Sequence, residues 1–245
     1  MSAASSDAIQ SQLRQNLSRI ERNVLAACQR RNRDAKDVQL VVVTKSTDLK
    51  IVNELVALGQ HALGENRPQQ LIDRAGQLPS VVNWHLIGQL QRNKVRAVLP
   101  HVRLIHSVDS WRLLDRIEQV AEELNLQPNV LLQVNVSGEQ TKSGFEPNEL
   151  STGLENVCKW RHVHVAGLMT MAPFTENEEV IRDTFSGLRQ LRDELKSTLQ
   201  SVALHELSMG MSHDYEIAIE EGATLIRIGS AVFEGCEDLG ECRGQ

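Results

Sequence analysis

The strongest constraint in this chain is a regular alternation of short apolar runs with amphipathic helical patterns. The runs are QLVVVTK (39–45), HALGE (61–65), NWHLIG (83–88), RLIHSV (103–108), NVLLQVN (129–135), VHVAGLM (163–169), HELSMG (205–210) and TLIRIG (224–229). Helical spacing fills the gaps. Asp48 precedes Leu49, Val52, Leu55 and Val56, with Gly59 as a stop, and Asp109 precedes Trp111, Leu114, Ile117, Ala121 and Leu124. Pro147 suits a first helical turn ahead of Leu150, Leu154 and Val157, and Ile181, Phe185, Leu188, Leu191, Leu195 and Leu199 mark a long helix. Ile9, Leu13, Leu17, Ile20, Val24 and Cys28 predict one more helix at the start, after the candidate caps Ser5, Ser6 and Asp7. Strands alternating with helices join by right-handed crossovers into a parallel sheet. Eight such units close into a (β/α)₈ barrel with an added N-terminal helix. An open doubly wound sheet would want a Gly-rich dinucleotide turn, and neither GxGxxG nor GxxxxGK[ST] occurs. The expected organisation is one domain: helix over 1–36, barrel over 38–235, polar tail over 236–245.

Composition narrows the function classes. A chain of 245 residues buries a core without disulfide staples. No apolar run approaches the ~20 residues that span a bilayer. The opening MSAASSDAIQ has neither a basic n-region nor an apolar h-region, so no secretory signal is expected. Cys28, Cys158, Cys236 and Cys242 are too few for a disulfide framework and too scattered for zinc. Cys236 and Cys242 read as thiols on a frayed end. A net charge of −6 and 3% aromatic residues argue against nucleic-acid binding. A cytoplasmic protein without membrane or nucleic-acid partners is the expectation.

Barrel chemistry sits at the C-terminal ends of the strands. At the first, a period of two puts Val41, Val43 and Lys45 on one face, so Lys45 tops an apolar column. Desolvation there would favour a neutral amine able to attack a carbonyl; alternatively the side chain snorkels to solvent. Lys94 and Lys142 are weaker competitors. At the eighth, Arg227-Ile228-Gly229-Ser230 leads into a short helix, where glycine admits an anion and serine adds a donor. Ser212 of MGMS offers a second hydroxyl. Both serines could cup a phosphate or cap their own helices. Asn66 ends strand two as a ligand contact or a cap, and His85 or Gln89 could line the mouth. His162 and His164 share a face without an obvious third metal ligand, so no metal is expected.

A strand-end lysine facing a phosphate cup suggests a Schiff base to a phosphorylated carbonyl compound. The segments VVVTKS, LGEN, WHLIGQLQRNK, HSVDS, QVNVSGEQTKSGF, GLMTM, LSMGMSHDYEIAI and RIGSAVF, in order from about 38 to 235, resemble the pyridoxal phosphate homeostasis protein family. The resemblance implies the barrel of the alanine racemase N-terminal domain. It also implies bound pyridoxal 5′-phosphate and a role in vitamin B6 and amino-acid balance without established turnover. It assigns Lys45 to the cofactor aldimine, Ser212, Gly229 and Ser230 to the phosphate, Arg227 to the pyridine nitrogen, and Asn66 to the pocket lining. Met209 and His85 fall in matched motifs. Ser230 stands where the family often has threonine, and Arg67-Pro68 where an aromatic residue is more usual. A monomer is expected, with apo-enzymes that use the cofactor or a regulatory protein as partners. The alternatives are an amino-acid racemase and a Schiff-base aldolase. Racemases of this fold take a catalytic tyrosine from an additional C-terminal domain. Here the sequence runs little beyond strand eight, and its one tyrosine, Tyr215, falls in the helix after strand seven.

Overall fold

The computed structural model describes residues 3–139, 143–154, 159–199 and 203–236, with side chains from residue 6 onward. Eight parallel strands close in chain order: β1 (Gln39–Val43), β2 (Ala62–Glu65), β3 (Asn83–Leu86), β4 (Leu104–Val108), β5 (Asn129–Gln133), β6 (His164–Met169), β7 (Glu206–Ser208) and β8 (Leu225–Ile228). Each lies inside the apolar run expected to form it. Closure is made by β8 on β1, where Val41 stands opposite Arg227 and Val42 opposite Ile228.

Helices return the chain from each strand to the next. The main ones are α1 (Ala3–Arg30), α2 (Leu49–Ala57), α3 (Pro68–Ala75), α4 (Val95–Val98), α5 (Trp111–Leu124), α6 (Pro147–Gly153), α7 (Glu178–Thr198), α8 (Tyr215–Glu220) and α9 (Ser230–Phe233). Local chemistry sets their ends. The Asp48 carboxylate accepts from the Lys50 N–H at 2.7 Å and starts α2, which stops at Gly59 with φ of 89°. The connection after β3 departs from a regular helix: α4 has four residues and is flanked by 3₁₀ turns at Arg92–Lys94 and Leu99–His101. Pro100, which donates no N–H, sits in the second of these turns.

Two apolar layers result. The larger lies between strands and helices, and a smaller one, of Val41, Leu104, Leu131, Met169 and Leu225, forms a second cluster on the strands. The N-terminal helix α1 packs against α8, α9 and α2, burying Ile9, Leu13, Leu17, Ile20, Ala27 and Cys28. From it, Asn16 Nδ2 donates to the carbonyls of Val232 (2.9 Å) and Glu234 (2.8 Å). Those two bonds tie down the chain after β8, and Cys236, expected on a frayed end, is fully buried in the core. Cys158 and Cys242 lie outside the described residues. No described helix is long and apolar enough to cross a membrane.

Candidate functional site: the C-terminal mouth of the barrel

Lys45 lies two residues beyond β1, where the strand opens into a cleft of about 390 Å³. Val43, Lys45, Ser46, Gly229 and Ser230 line it. The Lys45 side chain is exposed, so of the two alternatives it reaches solvent rather than standing desolvated. An apolar column lies beneath it, but none of the described residues covers it.

The two serines do not serve as caps. The N-caps of α8 and α9 are Asp214 and Gly229, and neither helix receives a side-chain cap bond. Instead Ser230 Oγ donates to Ser212 Oγ at 3.0 Å, so hydroxyls from the loops after β7 and β8 meet at one point. Two glycines make this approach possible. A Cβ on Gly229 would stand 3.0 Å from the Val43 carbonyl oxygen. Gly210 has φ of 91°, and a Cβ there would fall 2.6 Å from that of Ala218. Asp214 Oδ1 accepts from the Met211 N–H at 2.6 Å and fixes the turn that carries Ser212. Burial pushes the Asp214 carboxyl up, against that backbone bond and the charge of Arg227.

Arg227 and Asn66 lie apart from this cleft. Arg227 points into the barrel and is 4% exposed, its Nη1 on Ser208 Oγ at 2.5 Å and its Nη2 on the Thr170 carbonyl at 3.0 Å. Burial draws its pKa down to about 10, with Asp214 opposing, so it remains a cation at neutral pH. Asn66 follows β2 and is half-buried. It does not cap α3, whose N-cap is Arg67. Its backbone presses on Gly88, where a Cβ would meet the Asn66 carbonyl oxygen at 2.0 Å.

Other candidates stand elsewhere. His85 is buried inside the barrel rather than at the mouth, with Nδ1 2.8 Å from His106 Nε2. Gln89 is exposed. Met209 packs into the strand–helix layer. Lys94 is exposed on a 3₁₀ turn, and Lys142 lies outside the described residues. His162 precedes β6 and its Nδ1 sits 3.0 Å from Glu118 Oε1, while His164 is exposed. Among the described residues no cluster of three or more His, Cys, Asp or Glu side chains could hold a metal. The Tyr215 hydroxyl accepts from Asn23 Nδ2 of α1 at 2.9 Å.

Sequence reasoning missed the support beneath Lys45. Glu65 is fully buried, accepts from Thr44 Oγ1 at 2.5 Å and pairs with Arg74 Nη1 at 3.0 Å. Burial pushes its carboxyl up, opposed by Thr44 and Arg74, and Oε2 has no partner among the described residues. Arg74 also donates to the carbonyls of Thr44 (3.0 Å) and Thr47 (2.6 Å), and Gln70 Nε2 to that of Lys45 (3.0 Å). The backbone on both sides of Lys45 is thereby bolted to α3. A signal was present: an acid ending an apolar strand needs a counter-charge, and Arg74 is the one basic residue inside the next helix.

Comparison with known proteins agrees with this architecture. Residues 15–236 match the family described as "Alanine racemase, N-terminal domain". The pyridoxal phosphate homeostasis protein of Aquifex aeolicus is 42% identical over 220 residues, covering 89% of this chain and 96% of that one. PipY of Synechococcus elongatus, solved with PLP bound, superposes with a TM-score of 0.77 at 36% identity, covering 86% and 99% of the two chains. Alanine racemase of Clostridium difficile shares the fold, with a TM-score of 0.74 at 16% identity, and this chain covers 56% of it. The chain belongs to the pyridoxal phosphate homeostasis protein family, built on the alanine racemase N-terminal barrel.

Proposed function

We propose that this protein binds pyridoxal 5′-phosphate at the C-terminal mouth and holds it covalently through Lys45, as a carrier without efficient turnover. The observation that carries the reading is the cleft itself. An exposed lysine and Ser230 line one space, and Ser212 stands at hydrogen-bond distance from Ser230. The donor set fits the cofactor, which supplies an aldehyde for an amine and a phosphate for hydroxyls and backbone N–H groups. Lys45 Nζ is the amine, held in place by the Glu65–Arg74 clamp. Ser212, Ser230 and the backbone at Gly229 receive the phosphate, and Arg227 and Asn66 are assigned to the ring. The PLP-bound relative supports the same ligand.

Two features favour holding over turnover. Racemisation needs an acid–base group on each face of the substrate carbanion. Arg227 is a permanent cation that donates but accepts no proton. The hydroxyl of Tyr215, the one tyrosine, is engaged by Asn23, and burial pushes it further from ionisation. The test is a visible spectrum before and after borohydride, with mass mapping of the labelled peptide, followed by incubation with alanine in heavy water. A yellow protein labelled at Lys45, without catalytic deuterium exchange at Cα, is expected. A label on Lys94 or Lys142 would overturn the lysine assignment, and sustained exchange would make the protein an enzyme. A colourless protein that condenses with sugar phosphates would be an aldolase.

A further inference from the structure

Opposite the cofactor mouth, the N-terminal ends of the strands surround a second cleft of about 420 Å³. Its lining includes Asn83, His85, Arg103, Asn129 and Glu206, a polar set over the apolar floor of Leu104 and Leu225. Arg103 is exposed, and its guanidinium has no ion-pair or hydrogen-bond partner among the described residues. Glu206 Oε2 is occupied by Thr224 Oγ1 at 2.5 Å.

A buried chain of hydrogen bonds runs from this cleft to Arg227, and its direction is fixed at the top. Arg227 only donates, so Ser208 Oγ accepts from it. The Ser208 proton then needs an acceptor, and the one within reach among the described residues is His106 Nδ1 at 2.8 Å. His106 carries its proton on Nε2 and donates it to His85 Nδ1 at 2.8 Å. His85 is left with a proton on Nε2. Burial keeps both rings neutral: His85 is drawn down to about 4, helped by Arg103, and His106 well below its ordinary value, helped by His85 and Arg227. His85 is 3% exposed and lines the cleft, and its Nε2–H has no partner among the described residues.

We propose that this N-terminal cleft is a second small-molecule site, which takes a carboxylate through Arg103 and His85 Nε2–H and is joined to Arg227 by the His85–His106–Ser208 chain. An N–H that opens into the cleft, in one lining with a guanidinium unpaired among the described residues, is a donor pair for a carboxylate oxygen. An acceptor on His85 polarises each bond above it in the same sense, so Ser208 becomes a better acceptor for Arg227. The cleft is large enough for a metabolite of amino-acid size. Glu206 gives a second criterion, since its other oxygen can take an ammonium group.

The experiment is a titration of the full-length ¹⁵N-labelled protein, without added cofactor, with propanoate and with L-alanine. The ring resonances of His85 and His106 and the Nε–H of Arg227 are followed. Both probes are expected to move all three residues at millimolar concentration. Arg103→Met, on the surface, should weaken binding at least about tenfold. Glu206→Gln should weaken alanine alone if its carboxylate reads the ammonium, and equal loss for both probes would show that only the carboxylate is read. No movement of His85 with either probe, or binding unchanged in Arg103→Met, would overturn the site. Movement of His85 with a static Arg227 Nε–H would overturn the link. None of these readouts needs the cofactor, so the site can fail while the reading of the C-terminal mouth stands, or the reverse.

Discussion

The two halves of the barrel treat polar groups in opposite ways. At the C-terminal mouth Lys45 and Ser230 are exposed, and among the described residues the serine hydroxyls bond only to each other. Inside the barrel His85, His106, Ser208 and Arg227 are buried, and each is bonded to the next. A buried polar group without a partner costs about 1–3 kcal/mol, which favours pairing these four groups with one another and leaves His85 Nε2–H to face the N-terminal cleft. The mouth is under no such demand, because water or a ligand satisfies it. Changes at the mouth should therefore alter binding with little effect on stability, and changes below it should first cost stability.

The sharpest way to break that division is at its border, where a buried pair supports an exposed lysine. Arg74→Met removes the counter-charge of a fully buried Glu65 and two donors to the loop that carries Lys45. Removing one partner of a buried pair costs about 3–5 kcal/mol, and urea unfolding should show a loss of that order. Replacing both partners, Glu65→Leu with Arg74→Met, should recover most of the stability but not cofactor retention. Full retention in the double variant would show that the clamp does not position Lys45.

The mouth supplies the reciprocal case. Ser212→Ala and Ser230→Ala each remove a hydroxyl donor to a charged phosphate, worth roughly 1.5–3 kcal/mol, or one to two decades in dissociation constant. The double variant should bind more weakly than either. All three should unfold at the wild-type urea concentration, since neither hydroxyl caps its helix. Unchanged affinity in the double variant would place the phosphate elsewhere.

This division also explains what could be read from the sequence. The strands were legible because parallel strands flanked by helices are continuous apolar runs, and each observed strand falls within the expected one. The positions of Lys45, Gly229 and Ser230 at strand ends were legible because they close such a run or directly follow it. Depth inside the barrel was not legible, since a period of two reports the face of a strand and not its height. His85, one of two candidates for the mouth, stands in register with Gly64 and Leu104, inside the barrel. Partnership across the barrel was equally hidden: His106 and Ser208 are 102 residues apart in sequence, and nothing local announces their bond. Of the two readings of Lys45, desolvated or snorkelling to solvent, the structure shows the exposed one, because an apolar column beneath a side chain does not cover its end.

Acid should expose the interior network selectively. Burial holds His85 near 4, against about 6.5 in the unfolded chain. Between these values the unfolded state binds more protons, so stability rises with pH through this window. The contribution is fully present above about pH 6.5 and is lost as pH falls to about 4. His106, also held well below its ordinary value by burial and then by His85 and Arg227, adds loss in the same direction. Urea midpoints measured across this range should fall more steeply in the wild type than in His106→Asn. Parallel curves would mean that the paired imidazoles do not titrate with unfolding.

The smallest effect expected is at Tyr215, and it tests whether a polar group near the mouth belongs to the site or to the scaffold. Its ring is buried and its hydroxyl accepts from Asn23 Nδ2 on α1, a helix that lies outside the barrel. A scaffold role predicts that Tyr215→Phe loses one hydrogen bond, about 0.5–1.5 kcal/mol, by urea unfolding. Asn23→Ala should cost a similar amount, and the double variant little more than either, because the two side chains share one bond. Cofactor retention and the absence of deuterium exchange from alanine should be unchanged in all three. If the wild type shows slow exchange that Tyr215→Phe abolishes while Asn23→Ala preserves it, the hydroxyl acts on substrate, and the assignment of this tyrosine to packing fails.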